Sequence, residues 1–266
     1  MTIGKTIHFN YTNQGIRTEN QDNFAAYVIE DNIAVRNLNR GELFVVADGM
    51  GGHKSGKEAA IEVCSNLFDV YYTSNIELDF ENPESIENKL EQIINEINMN
   101  LVKKSQDDIE RSGWGSTISV LILRDQEYYF AHSGDTRIYL FNDFNSTLLT
   151  EDHNVGFQLY KYKQTTYEKY LEGKGRNKLL SYMGQGDGIS IQTGHGTISD
   201  KDIFLICSDG LNQFAEIMDM ERILNETKDV NSSETFIESL YVYFKNIIKP
   251  EEAKDNVTFM LVSKSM

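Results

Sequence analysis

Two apolar runs that each end in Asp-Gly constrain the fold of this chain more than any other feature. ELFVVADG (42–49) and DIFLICSDG (202–210) are nearly continuous apolar segments, and such runs are typical of strands buried on both faces. Each run ends in an aspartate, Asp48 or Asp209, and the glycine that follows allows a sharp turn. The sequence therefore predicts a layered fold that places carboxylates at the ends of rigid strands.

The other periodic segments alternate blocks of strands with helices. Further strands are predicted at 5–12, 116–123, 127–135, 136–142 and 256–262, and helices at 55–72, 83–105, 216–227 and from Ser233 onward. Ser55 with Glu58 is typical of a capping box, and Asn82-Pro83 of an N-cap followed by a first-turn proline. Strands, two helices, strands and mixed elements in this order favour an α+β fold with antiparallel sheets over an alternating βαβ chain.

Charge and composition exclude several classes of partner. The chain of 266 residues carries 25 Lys plus Arg against 41 Asp plus Glu, a formal net charge of −16, which argues against nucleic acid and anionic membranes. No apolar run approaches the roughly 20 residues of a membrane span. The first residues lack the apolar core of a signal peptide, and two cysteines in apolar segments fit a reducing compartment. We expect a cytoplasmic protein.

The polar, aromatic and basic segment at about 151–180 breaks this pattern. No linker divides the chain, so we expect a single catalytic domain over 1–266 in which 151–180 is a flap inserted over a site. Its lysines would attract acidic substrates, or would simply be solvated; they are Lys161, Lys163, Lys169 and Lys174.

Aspartates recur where predicted strands begin or end. Asp255 precedes the last strand, as Asp48 and Asp209 follow earlier ones. A single Asp-Gly is more often an ordinary turn, but three converging carboxylates would repel one another unless cations neutralised them. Aspartate oxygens are ligands that Mg²⁺ and Mn²⁺ prefer, so the set favours a divalent-cation site.

Two further aspartates have an arginine nearby in sequence. Asp22 follows Arg17 by five residues, and a guanidinium beside metal-binding carboxylates suits a phosphate substrate. Asp135 is either another site residue or part of a plain hairpin turn with Arg137 as its ion-pair partner.

Seven short motifs occur in one order along almost the whole chain, from about residue 6 to 263. They are RTENQD (17–22), VVADGMGGHKSGKEA (45–59), GST (115–117), AHSGDTRIY (131–139), TEDHN (150–154), CSDGL (207–211) and KDNVT (254–258). Their order resembles that of the metal-dependent, type 2C serine/threonine phosphatases, bacterial branch. The resemblance implies a four-layer α-β-β-α sandwich, with two antiparallel sheets flanked by helices and a binuclear Mn²⁺ or Mg²⁺ site at one end.

By this resemblance, most of the aspartates have metal-binding roles. Asp48 would bridge two ions, with the Gly49 carbonyl on one of them, and Asp209 and Asp255 would complete the other ion's shell. Asp135 would help bind a third ion.

The resemblance also implies the catalytic roles. Asp22 would act near the metals through bound water, and Arg17 would hold the substrate phosphate. His53 is a candidate for proton transfer or an ordinary loop residue. His153 is expected to order a loop rather than perform chemistry.

The chemistry implied by the resemblance needs no phosphoenzyme. Hydroxide shared by two ions would attack the phosphorus of phosphoserine or phosphothreonine directly. The implied partners are phosphorylated proteins, including those of a serine/threonine kinase. We also expect a monomer, although the sequence itself gives no oligomeric state. A non-catalytic phosphoprotein-binding module and a small-molecule phosphohydrolase remain as alternatives. Gln21, where many members have Glu, would weaken an ion that it touched directly and change little if it acted through water.

Overall fold

The strands form two antiparallel sheets that pack face to face. The computed structural model describes residues 5–51, 54–73, 76–108, 111–142, 145–173, 175–215, 219, 222–223 and 233–264. One sheet has the order β1-β11-β10-β7-β8, with β1 Thr6–Asn13, β11 Val257–Lys264, β10 Ile203–Cys207, β7 Arg137–Asn142 and β8 Asn145–Leu148. The other has the order β2-β3-β5-β6-β9, with β2 Asp22–Tyr27, β3 Glu42–Met50, β5 Ile118–Arg124, β6 Glu127–Ser133 and β9 Gln192–Thr197, and the short β4 (Gly115–Ser116) pairs with β3.

Helices cover the outer face of each sheet. The described helices are α1 Ile33–Leu38, α2 Lys54–Phe68, α3 Pro83–Asp107, α4 Val155–Lys161, α5 Tyr167–Glu172 and α6 Ser233–Ile247. The buried side chains of α2 and α3 pack on the outer face of the β2–β9 sheet, and those of α6 pack on the outer face of the β1–β8 sheet. The result is the four-layer α-β-β-α arrangement that the sequence resemblance implied.

Alternation along the buried strands explains why the apolar runs are continuous. In β3, Phe44 and Val46 point between the sheets, whereas Leu43 and Val45 face the helices. The strand β10 divides in the same way between the inter-sheet core and the core under α6. Because both faces are covered, each residue of the run removes apolar surface from water.

The elements predicted from the sequence are largely confirmed, with differences at their ends. The seven predicted strands are present, but the run 202–210 stops being a strand at Cys207, and Asp209–Gln213 is a 3₁₀ helix. The helix predicted over 55–72 is α-helical over Lys54–Phe68 and continues as a π-helical turn, so Ser55 lies inside the helix and does not cap it. The helix predicted at 216–227 falls mostly outside the described residues.

The strand ends that matter for function meet at one end of the sandwich. In the antiparallel ladders, the C-terminal end of β3 lies beside the N-terminal end of β2, and that of β6 beside the N-terminal end of β5. The C-terminal end of β10 lies beside the N-terminal ends of β7 and β11. The aspartates that precede or follow these strands are therefore brought together. At no point in the described helices is there an apolar stretch long enough to cross a membrane.

Candidate active site

A cavity of about 910 Å³ opens at this end of the sandwich. Its walls carry acidic and polar groups from loops of both sheets: Arg17, Thr18, Glu19, Gln21, Asp48, Gly49, Met50, Gly51, Thr117, Asp135, Asn177, Leu179, Asp209, Asp255 and Asn256. Six of the predicted site residues thus lie on one cavity: Arg17, Asp48, Gly49, Asp135, Asp209 and Asp255.

Asp48 is fixed by backbone hydrogen bonds that leave its carboxylate for the cavity. Its N–H donates to Thr117 Oγ1 over 2.9 Å, and its carbonyl accepts from the N–H of Thr117 over 2.8 Å. Ser116 Oγ donates to the same carbonyl over 3.1 Å. Since neighbouring segments satisfy the backbone, the side chain is oriented at low entropic cost.

The glycines after Asp48 and Asp209 are needed for close packing. The turn expected at Gly49 is not made, because β3 continues to Met50, whereas the chain does turn at Gly210, inside the 3₁₀ helix Asp209–Gln213. Neither is among the glycines with positive φ. A Cβ on Gly49 would lie 2.1 Å from the carbonyl oxygen of Gly56, and one on Gly210 would lie 1.9 Å from that of Asn256. Neither position has room for a side chain, because Gly49 packs against the first turn of α2 and Gly210 against the residue that precedes β11.

Asp22 is buried and is not among the residues that line the cavity. Its Oδ2 accepts from Ser208 Oγ over 2.8 Å, while Oδ1 is buried without a hydrogen-bond partner among the described residues. Burial raises the pKa of Asp22 to about 7, and the charges of Asp209 and Asp255 add to the shift. An orphaned carboxylate oxygen at this depth requires a proton, a water molecule or a cation.

The pKa values of three other carboxyl groups at the site are also raised. Burial, followed by the charge of Asp22, raises the pKa of Asp48 well above its usual range. Burial and then Asp209 do the same to the pKa of Asp135. The pKa of Asp209 is raised to about 6, first by burial and then by Asp255. The cluster would lose this repulsion by binding divalent cations.

The donor set fits hard divalent cations. It consists of carboxylates and carbonyls, the ligands that suit Mg²⁺ and Mn²⁺. Within the part of the chain that the structure describes, no group of three or more His, Cys, Asp or Glu side chains lies close enough together to hold a metal ion by side chains alone. Ions held here would therefore keep water in part of their shell, as Mg²⁺ usually does.

Arg17 is the cationic group of the cavity nearest Asp255. Its Nη2 donates to Asp255 Oδ2 over 2.6 Å, and its Nε donates to the Lys254 carbonyl over 2.8 Å. The side chain is 54% exposed, so its guanidinium can meet a ligand that enters from solvent.

Arg137 forms a buried ion pair with Asp152, and its charge also acts to lower the pKa of Asp135, the hairpin partner considered from the sequence. Nε and Nη2 of Arg137 donate to the two oxygens of Asp152 over 2.9 and 2.8 Å in a fully buried fork. Although burial alone would raise it, this guanidinium holds the pKa of Asp152 below its usual value. Asp135 itself lines the cavity.

The flap is joined to the core through this buried pair. Tyr170, on α5, is 1% exposed, and its hydroxyl donates to Asp152 and accepts from Arg137 Nη2. Beyond it, Asn177 and Leu179 reach the cavity wall. Of the flap lysines, Lys161 pairs with Glu151, and Lys174 lies outside the described residues.

The two histidine hypotheses have different outcomes. His153 accepts from the N–H of Gly134 over 3.3 Å, and its own N–H donates to the Gly134 carbonyl over 2.6 Å. These bonds order the loop that carries Asp135, as expected from the sequence. His53 lies outside the described residues, so its role in proton transfer stays a prediction.

Three residues at the site were not singled out from the sequence. Thr117 fixes Asp48, Ser208 donates to Asp22, and Asn256 binds the loop that carries Arg17. Each lies inside a motif quoted for its aspartate or glycine, so short polar side chains beside those positions were the available signal.

The fold and the cavity define a four-layer α-β-β-α protein with a polyanionic end. The model of the family described as "Protein phosphatase 2C" matches residues 20–261. The chain belongs to this family.

Individual relatives agree with this assignment. The chain is 28% identical over 252 residues to the "Serine/threonine phosphatase stp" of Listeria monocytogenes serotype 4b, covering 94% of this chain and 92% of that one. The crystal structure of the serine/threonine phosphatase Stp1 from Staphylococcus aureus matches with a TM-score of 0.79 and 26% identity, covering 99% and 97% of the two chains. The catalytic domain of PstP, solved in complex with 2 manganese ions, shares the fold with a TM-score of 0.74 and 20% identity, and the match covers 100% of both chains.

Proposed function

We propose that this chain is a metal-dependent serine/threonine protein phosphatase that hydrolyses phosphoserine and phosphothreonine in proteins. One observation carries the proposal: four aspartates and an arginine line a single open cavity in a member of the protein phosphatase 2C family. They are Asp48, Asp135, Asp209, Asp255 and Arg17.

Asp48, the Gly49 carbonyl, Asp209 and Asp255 would hold two Mn²⁺ or Mg²⁺ ions, with Asp22 acting through water and Asp135 available to a third. Mutual repulsion among these carboxylates and the orphaned Oδ1 of Asp22 support this set. When bound, the ions would supply Lewis acidity and lower the pKa of a water molecule.

The chain's own residues bind and orient the phosphate ester. Arg17 offers a planar fork for two phosphate oxygens and would exchange its bond to Asp255 for them. Because the backbone of Asp48 is hydrogen-bonded to Thr117, its carboxylate would keep its position when the substrate binds. Water would attack phosphorus directly while the Ser or Thr oxygen departs, and His53 stays the candidate for protonating that oxygen.

The two cysteines do not support a phosphocysteine intermediate. Cys64 and Cys207 are both buried, and burial raises the pKa of each thiol to about 12. A thiol with that pKa is protonated at neutral pH and a poor nucleophile. Direct attack by water is therefore the mechanism we propose.

We also propose the setting in which the enzyme works. It would be a cytoplasmic monomer, a single domain over 1–266 with a flap at about 151–180, acting on the substrates of a serine/threonine kinase. The net charge of −16 continues to argue against nucleic acid and anionic membranes as partners.

The test is phosphate release from a phosphothreonine peptide by the purified chain, titrated with Mn²⁺ and then stripped with EDTA. We expect release that requires metal and is absent with a matched phosphotyrosine peptide. Release from free phosphoserine but not from the peptide would favour a small-molecule phosphohydrolase. Peptide binding without release at any metal concentration would favour a non-catalytic module.

A further inference from the structure

Asn256 is a buried amide whose hydrogen bonds go to the backbone of the loop at 14–21. Its Oδ1 accepts from the N–H of Gln21 over 2.8 Å, and its Nδ2 donates to the carbonyls of Gln14 and Glu19, each over 2.9 Å. Both amide hydrogens and one acceptor site are thus used within one loop. The residue is 6% exposed, so water does not compete freely for these bonds.

The loop that Asn256 binds is the one that carries Arg17. Further bonds fasten it to the turn before β11: the N–H of Ile16 donates to the Ala253 carbonyl over 2.9 Å, and Arg17 Nε donates to the Lys254 carbonyl over 2.8 Å. These bonds lie at the middle of the loop, whereas those of Asn256 hold both of its ends. Asn256 therefore determines where the loop lies relative to Asp255, its own neighbour in sequence.

A fixed loop backbone matters because the Arg17 side chain that it carries is long and mostly in solvent. At 54% exposure, packing does little to restrict its rotamers, and each rotatable bond fixed on binding costs entropy. If the loop backbone were also free to move, that cost would rise and the guanidinium would meet phosphate oxygens less often in a bidentate geometry. A rigid loop leaves only the side chain to be ordered.

We propose that Asn256 is a positioning residue for phosphate recognition, which fixes the 14–21 loop so that Arg17 meets a phosphate bound beside the aspartates. The inference rests on the proposed function, since it concerns how the same cavity holds its substrate. Asn256 acts through Arg17 and need not touch the phosphate itself.

A double-mutant cycle distinguishes this role from a merely structural one. The variants are Asn256→Ser, Arg17→Ala and the double substitution, assayed with p-nitrophenyl phosphate at saturating Mn²⁺, with inorganic phosphate as a competitive inhibitor. We expect Asn256→Ser to raise KM and the phosphate inhibition constant about tenfold, with kcat within about twofold of wild type. In the Arg17→Ala background the same substitution should leave both constants unchanged.

Asn98 provides the matched control. It is 1% exposed, its Oδ1 accepts from the N–H of Gly184 over 2.8 Å, and its Nδ2 donates to the Gly186 carbonyl over 2.8 Å. It therefore also fixes a loop, but one that does not line the cavity. Asn98→Ser should lower the melting temperature while leaving KM and the phosphate inhibition constant as in wild type.

The outcomes separate the two proposals. An Asn256→Ser effect on KM that is equal with and without Arg17, or that appears equally in Asn98→Ser, would overturn the positioning role. So would an effect confined to kcat. If Asn256→Ser does not fold, Asn256→Asp, which keeps the size and the oxygen acceptor, takes its place in the same cycle. A folded wild type without phosphatase activity at any Mn²⁺ concentration would instead remove the proposed function.

Discussion

Asp22 and Asp48 face each other directly across the β2–β3 ladder. Residues paired in this way point to the same face of an antiparallel sheet, and like charges at such positions destabilise the sheet. Burial raises the pKa of both groups, that of Asp22 to about 7, and the charge of Asp22 raises the pKa of Asp48 further. Two carboxyl groups facing each other in this way lower the stability of the fold. Such a destabilising pair is expected at a binding site rather than in an ordinary core.

The first prediction is that Mn²⁺ stabilises the protein through this cluster. At about 100 times its dissociation constant, a ligand specific for the folded state adds about 2.7 kcal/mol, which raises the melting temperature by about 5–10 °C at this chain length. Asp48→Asn removes one repelling carboxylate, so in EDTA it should melt about 2–4 °C above wild type. With Mn²⁺ the order should reverse.

Differential scanning calorimetry with and without EDTA measures both effects. Asp125→Asn is the control, because the Asp125 side chain is 74% exposed at the other end of β5. An Mn²⁺ shift that persists in full in Asp48→Asn would exclude Asp48 as a ligand.

The second prediction concerns pH in the metal-free protein. The pKa of Asp22 is about 7 when folded against 3.8 as its ordinary value, so between these values the unfolded chain has lost a proton that the folded chain keeps. Stability from this group is full below about pH 4 and is lost as pH rises toward 7. Asp22→Asn does not titrate, and its amide oxygen can still accept from Ser208.

The measurement is the difference in melting temperature between Asp22→Asn and wild type, in EDTA, from pH 4 to 8. It should grow in favour of the variant up to about pH 7 and then level off. A constant difference across this range would show that Asp22 has an ordinary pKa.

The sequence was most informative where one physical constraint acts alone. Continuous apolar runs predicted β3 and β10 because burial on both faces requires them, and the seven ordered motifs located the cavity. The strand β2 was missed because DNFAAY is short and mixed in polarity, and its place in the sheet comes from pairing with β3. The strand β9, QTGHGT, contains two glycines and depends likewise on its partner β6.

At the site, the sequence indicated which side chains are chemically suited but not what fixes them. Asn256 and Ser208 are ordinary polar residues until the loops that they join come together. The partner of Arg137 could not be chosen from the sequence either, because Asp135 is nearer along the chain and Asp152 becomes near only in the fold.

The third prediction compares two aspartates that flank the same strand. Asp202 precedes β10 and accepts from the N–H of Ser199 over 2.8 Å, whereas Asp209 follows β10 and lines the cavity. Asp209→Asn should reduce kcat/KM about 100-fold or more without unfolding the protein. Asp202→Asn keeps an oxygen acceptor for Ser199 and should retain activity. Full activity in Asp209→Asn would remove the metal assignment at that position.

The last prediction concerns the anchor of the flap, and two tyrosines in that segment allow a matched test. Tyr170 is 1% exposed and bonds to the buried Arg137–Asp152 pair, whereas Tyr162 is 66% exposed. Tyr170→Phe leaves a charged carboxylate short of one donor, at a cost of about 1–3 kcal/mol. Tyr162→Phe should stay within about 0.5 kcal/mol of wild type.

The loss of stability in Tyr170→Phe should be larger in the flap than in the rest of the protein, because Tyr170 connects α5 to the core. In Tyr170→Phe, amide hydrogen exchange over 155–172 should accelerate more than exchange in β10 or β11, and KM for a phosphopeptide should rise more than KM for p-nitrophenyl phosphate. Tyr162→Phe should change neither exchange nor KM. Equal protection of 155–172 in both variants would show that the hydroxyl of Tyr170 does not anchor the flap, and the apolar packing of its ring against Phe157 would then be what holds α4 and α5 together.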